Sequence, residues 1–162
     1  MFELLNLFLL FPLILTLHNI EESLWLTEWA NSFKKSSKPM NKDGSIFTTI
    51  VTLSFAYLIT LCFVFLPEVS VFKYLYFGFI GVMMFNVIFP HLALTIQFKK
   101  YCPGLITGIL LLMPIGSLII IYSINKEIIS YLGLVIATII VGLISLIILP
   151  VLFRMGEYFL RF

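Results

Sequence analysis

A chain of 162 residues in which 61% of side chains are hydrophobic and only 11% charged has too little polarity to cover a water-soluble core. Several apolar runs reach the roughly 20 residues needed to cross a bilayer, so the composition excludes an ordinary soluble domain and predicts one all-α domain of transmembrane helices. The net charge of +2 is small and scattered, which argues against nucleic acid and makes membrane lipids the expected surroundings.

The N-terminus lacks a basic stretch, and no small-x-small cleavage site precedes His18, so the first hydrophobic segment is expected to be retained. That segment, 2–30, is apolar from Phe2 to Leu17 and then carries His18-Asn19-Ile20-Glu21-Glu22. It ends among Trp25 and Trp29, where an interfacial aromatic belt is expected. Pro12 removes the helical donor to the carbonyl of Phe8 and predicts a kink. Asn31 to Ser45 reads as a solvated loop; it holds Lys34, Lys35, Lys38 and Lys42, which set orientation and can meet anionic head groups.

The second helix is expected over 46–66, closed by Pro67-Glu68, and the third over 72–98, entered through Lys73, Tyr74 and Tyr76. The third contains Asn86, Pro90, His91 and Gln97, more polarity than the second or fifth. The fourth, 104–124, starts at Pro103-Gly104 and has Pro114 in its middle. The fifth, 128–153, offers Gly133 and Gly142 as close-packing points, and a short amphipathic tail, Arg154 to Phe162, follows. Five spans place eight of the ten basic residues on one side, namely Lys34, Lys35, Lys38, Lys42, Lys99, Lys100, Arg154 and Arg161. By the positive-inside rule the N-terminus is then outside and the C-terminus cytoplasmic, in the cytoplasmic membrane of a bacterium. Cys62 and Cys102 fall near opposite ends of their helices, too far apart for a disulfide, and are expected as free thiols.

Ionisable groups at membrane depth are expensive and point to function. Glu21 and Glu22 follow His18 by three and four residues, so all three side chains share one helical face. Glu22 stands seven residues before Trp29, and His91 eight before Lys99. At the helical rise both lie about 10–12 Å from their cytoplasmic ends, so the two histidines can meet if the first and third helices are neighbours. Two histidines and one or two carboxylates make a first shell for a divalent transition metal, zinc before others. In that reading His18, Glu22 and His91 are ligands, and Glu21 is a further ligand or a general base. Asn86, Gln97, Tyr101 and Thr107 would orient ligands or bind a substrate head group. A glycine-rich phosphate loop, zinc-finger cysteine spacing and His-Glu-x-x-His are all absent from the sequence.

His18-x-x-Glu21-Glu22 at the end of a first hydrophobic segment resembles the HXXEE family of small integral membrane proteins. Tyr101-Cys102-Pro103-Gly104 with Thr107 is similar to that family's later Tyr-x-Pro-Gly-x-x-Thr region, preceded here by His91. The resemblance covers the first four segments. It implies that His18, Glu21 and Glu22 matter, with His91 carried by position alone, and it supplies no substrate.

Three functional readings follow. The first is a metal-dependent membrane hydrolase acting on a lipid-like or membrane-partitioned substrate. The second is a small-ligand binder or transporter driven by titration of the buried His–Glu cluster. The third is a structural subunit of a membrane complex whose polar cluster specifies helix packing. A homo-oligomer is compatible with each.

Overall fold

The computed structural model describes residues 2–33 and 39–159. Lys34, Lys35 and Lys38 of the lysine-rich segment, and Arg161 of the tail, lie outside the described residues. Every regular element among those described is helical, and five helices are long and apolar enough to cross a membrane. They are α1 (Phe2–Asn31), α2 (Lys42–Phe65), α3 (Ser70–Phe98), α4 (Leu105–Asn125) and α5 (Tyr131–Phe159).

Helix α1 divides its faces cleanly. Leu13, Leu17, Ile20 and Leu24, spaced by three and four residues, face outward, while Phe11, Ile14, Leu15, His18 and Glu21 are buried. The polar cluster therefore continues the core stripe instead of interrupting it. Helix α1 runs unbroken through Pro12. The Phe8 carbonyl that the proline leaves without a helical donor accepts the Tyr76 hydroxyl at 2.8 Å, and the Thr16 hydroxyl donates to the Pro12 carbonyl at 2.7 Å. Phe8, Phe63, Tyr76 and Phe77 pack ring on ring around this contact, with Phe63 and Tyr76 stacked at 4.8 Å. The block sits ten residues from His18, about 15 Å along the helix, so the aromatic core and the polar cluster occupy separate layers.

Helix α2 begins four residues before its apolar run because Asn41 caps it: the side-chain oxygen accepts from the amides of Asp43 (2.7 Å) and Gly44 (3.4 Å). The Asn31 side chain closes the preceding connection by pairing with both backbone groups of Met40. Helix α5 absorbs the expected tail as far as Phe159 and lies against α2 and α3. One of the two expected close-packing points is found, since a Cβ on Gly133 would come within 3.2 Å of the Tyr74 ring. A Cβ on Gly142 would meet only Val82, at 3.5 Å, an ordinary contact. A Cβ on Gly156 would come within 2.8 Å of the Gly44 Cα, and one on Gly78 within 2.6 Å of the Ala137 carbonyl. Backbone meets backbone at those two places, which only small residues permit.

Helices α3 and α4 depart from α geometry in two places: α3 kinks within Val87–Leu92, and α4 makes a π-helical turn over Gly108–Leu112. Within the first, Phe89 adopts φ −136° and ψ 108°, just before Pro90. The two segments press together: a Cβ on Gly108 would lie 2.8 Å from both Val87 methyls. Between the helices, Lys99 (φ 51°) and Gly104 (φ 95°) take left-handed conformations, so the connection reverses the chain sharply.

Candidate metal centre

The α1 face and the α3 kink bring three candidate ligands together. His18 and His91 are buried at 1% and 2% exposure, with ring centroids 5.3 Å apart and planes nearly perpendicular. Glu22 Oε1 lies 2.8 Å from His91 Nε2 and 3.8 Å from His18 Nε2. One ligand atom from each of the three residues falls within 4.8 Å of the other two.

Glu21, one residue earlier, faces α4 instead. Its Oε1 accepts the Gly104 amide at 2.8 Å and the Tyr101 hydroxyl; its Oε2 accepts the Thr107 amide at 3.0 Å and the Thr107 hydroxyl at 2.6 Å. Four donors occupy one carboxylate, which ties α1 to the first turn of α4.

This anchorage fixes the neighbouring proton positions. A threonine hydroxyl has one proton, and Thr107 gives its proton to Glu21 at 2.6 Å. His18 Nδ1 lies 3.2 Å from the same oxygen and must therefore donate to it. The His18 Nε2 lone pair is then directed inward. That atom is buried without a hydrogen-bond partner and has the Glu22 carboxylate before it. His91 differs: its Nε2 lies 2.8 Å from Glu22 Oε1 and 3.0 Å from the Asn86 side-chain amide, and its Nδ1 lies 3.6 Å from Cys102 Sγ.

Two imidazoles and a carboxylate thus converge, the two histidines buried and the Glu22 side chain 17% exposed. The carboxylate among the imidazoles calls for a positive charge, which a proton on His91 or a bound cation supplies. Tetrahedral ligands of zinc stand about 3.3 Å apart, given metal–ligand bonds of about 2.0–2.1 Å. The two separations from Glu22, 2.8 and 3.8 Å, bracket that value, and the three ligand atoms lie within 4.8 Å of one another. The two-histidine, one-glutamate set also leaves a tetrahedral position free. The residues fit a divalent transition metal.

Other expected contributors divide. Asn86 reaches His91, Thr107 reaches His18, and Tyr101 reaches Glu21. Gln97 is exposed near the end of α3. Two residues come forward that spacing did not single out as site residues. Gly104 lies against the centre: a Cβ there would stand 2.8 Å from His91 Cε1, 3.0 Å from Glu22 Cγ and 3.1 Å from His18 Cε1. Cys102 is held there by the Thr95 hydroxyl, which donates to the His91 carbonyl at 2.8 Å and accepts the Cys102 amide at 3.0 Å. The Pro-Gly reversal at 103–104 was the available signal for both. Sulfur, imidazole and Glu22 also form the line of a cysteine nucleophile with its base, but Cys102 is only 1% exposed and does not line the adjoining cleft. Its place suits orienting His91.

Residues 9–119 match the family described as proteins of unknown function with an HXXEE motif, which covers His18, Glu21, Glu22, His91 and the reversal before α4. The chain is also 43% identical over 147 residues to the uncharacterized protein YrkK of Bacillus subtilis (strain 168), across 91% of this chain and 93% of that protein. No solved structure matches the chain significantly. On the extent of the motif-bearing match, this chain belongs to the HXXEE family.

Proposed function

We propose that the protein is an integral membrane protein that holds one divalent transition metal, zinc favoured, on His18, Glu22 and His91. With it the protein acts as a hydrolase on a lipid-like or membrane-partitioned substrate. The observation that carries this reading is the buried, unpartnered Nε2 of His18 directed at the Glu22 carboxylate. A bound ion supplies Lewis acidity for polarising a carbonyl or phosphoryl oxygen. In this reading Glu21 acts by position, since its oxygens are committed to α4, and Asn86, Thr107 and Cys102 orient the ligands.

The proposed orientation puts the N-terminus outside and the C-terminus in the cytoplasm of a bacterial cell. Lys99, Lys100 and Arg154 support it at one end of the bundle, against Lys73 and Lys126 at the other. The centre then lies toward the cytoplasmic face, where the polar part of an amphiphile resides.

Elemental analysis of detergent-purified protein tests the metal. About one equivalent is expected in the wild type and less than about a tenth in His18→Ala and Glu22→Gln. Under a tenth of an equivalent in all three, after reconstitution with zinc, overturns the reading.

A further inference from the structure

Beside the centre, on the far side of Glu21, a cleft of about 690 Å³ opens between α1 and the start of α4. Glu21, Trp25, Glu28 and Trp29 line it from successive turns of α1, and Tyr101 and Lys100 line it from the connection after α3. The chain has two tryptophans, and both are here. The Tyr101–Glu21 hydrogen bond joins the two sides of the cleft, and the same Glu21 holds Thr107 against His18. The cleft and the metal centre are therefore separated by one hydrogen-bonded partition.

The charges in the cleft are lopsided. Lys100 is the one cation among the described residues that line it, and it is turned aside: its Nζ donates to the Ser32 hydroxyl at 3.2 Å and lies 5.1 Å from the centre of the Phe33 ring. Glu28 is exposed and has no basic partner among the described residues. Three electron-rich rings, Trp25, Trp29 and Tyr101, and the exposed Glu28 carboxylate make up much of the remaining lining. That combination favours a positively charged group, since cations bind the faces of tryptophan and tyrosine and an opposed carboxylate adds Coulomb attraction. The outward α1 surface beside it, Leu13, Leu17, Ile20 and Leu24, is continuous apolar ground for an alkyl chain.

We infer that this cleft binds an amphiphile with an ammonium or quaternary-ammonium head group, the head lying among Trp25, Trp29, Tyr101 and Glu28. That the bound amphiphile is also the substrate of the neighbouring centre rests on the function proposed above; its binding does not.

Both tryptophans report on the cleft, so intrinsic fluorescence reads it directly. The full-length protein in a neutral maltoside detergent is titrated with dodecyltrimethylammonium and, separately, with dodecyl sulfate. The expected result is a saturable fluorescence change with the cation alone. Glu28→Gln is expected to weaken it about ten-fold, and Lys100→Ala to leave it unchanged or tighten it. An equal response to both amphiphiles, a response linear in added amphiphile, or an unaltered Glu28→Gln titration overturns the inference and leaves the aromatic residues as interfacial anchors only. A preference for dodecyl sulfate that Lys100→Ala abolishes overturns it in favour of an anionic head group. The titration is repeated on metal-stripped protein and on His18→Ala. Saturable binding there with no metal uptake in the wild type removes the metal reading alone, whereas metal uptake without cation binding removes this one alone.

Discussion

Glu21 and Glu22 are consecutive residues with separate partners: Glu21 is bound by four donors from Tyr101, Gly104 and Thr107, while Glu22 faces His91 at 2.8 Å. The 100° turn between successive helical residues, about 360° divided by 3.6, sends one carboxylate toward α4 and the other toward α3. One therefore anchors the fold and the other offers a ligand atom.

The two glutamates are expected to respond differently to loss of charge. Glu21→Gln presents an amide to donors that need acceptors, so it should destabilise the metal-free protein by about 2–3 kcal/mol. It should also weaken metal binding about 10–100-fold through Thr107. Glu22→Gln should abolish metal binding and leave the metal-free melting temperature within about 2 °C of wild type. Thermal unfolding in detergent and zinc titration of both variants check this; equal melting temperatures for the two contradict the division of roles.

Thr107→Val removes the oxygen that accepts from His18 Nδ1. Nitrogen NMR of the histidine side chains in the metal-free protein should then change His18 from one tautomer to a mixture, with the His91 signals unmoved. Zinc affinity should fall about 10–100-fold. A single His18 tautomer in both proteins would mean that Thr107 does not set it.

Gly104→Ala forces a side chain into a backbone conformation of φ 95° and places its Cβ 2.8 Å from His91. The left-handed conformation alone costs about 1–2 kcal/mol. Stability and zinc affinity are both expected to drop, and a variant that keeps wild-type values in both measurements would contradict the close contact.

Tyr76→Phe provides the contrast, since its hydroxyl serves the Phe8 carbonyl in the aromatic layer. A loss of about 1–2 kcal/mol in unfolding free energy is expected, with zinc affinity unchanged. Altered zinc affinity would show the two layers to be coupled.

Five apolar runs, their turn residues and the i, i+3, i+4 spacing of His18, Glu21 and Glu22 made much of the helical plan legible in the sequence. The exchange of roles between the two glutamates was not legible, because it depends on where Gly104 and Thr107 arrive after the reversal of the chain. Cys102 looked like a residue of the helix end near Lys99 and Lys100; only the left-handed residues 99 and 104 turn it back onto His91. Of the two glycines read as packing points, Gly133 meets Tyr74 closely and Gly142 does not, because which glycine meets a neighbour is set by helix crossing, which one-dimensional spacing does not encode. Pro12 pointed to an unpaired Phe8 carbonyl, and the partner that accepts the task, Tyr76, is 68 residues away.

The kink at Phe89, within Val87–Leu92, makes the length of α3 part of its chemistry. Removing a single residue from that segment would rotate everything beyond it by about 100°, the angle of one helical residue, relative to what precedes it. His91 would leave the core, and the reversal that carries Cys102 and Gly104 would be aimed elsewhere. A one-residue deletion there is thus equivalent to removing several side chains at once, although each of them would still be present in the chain.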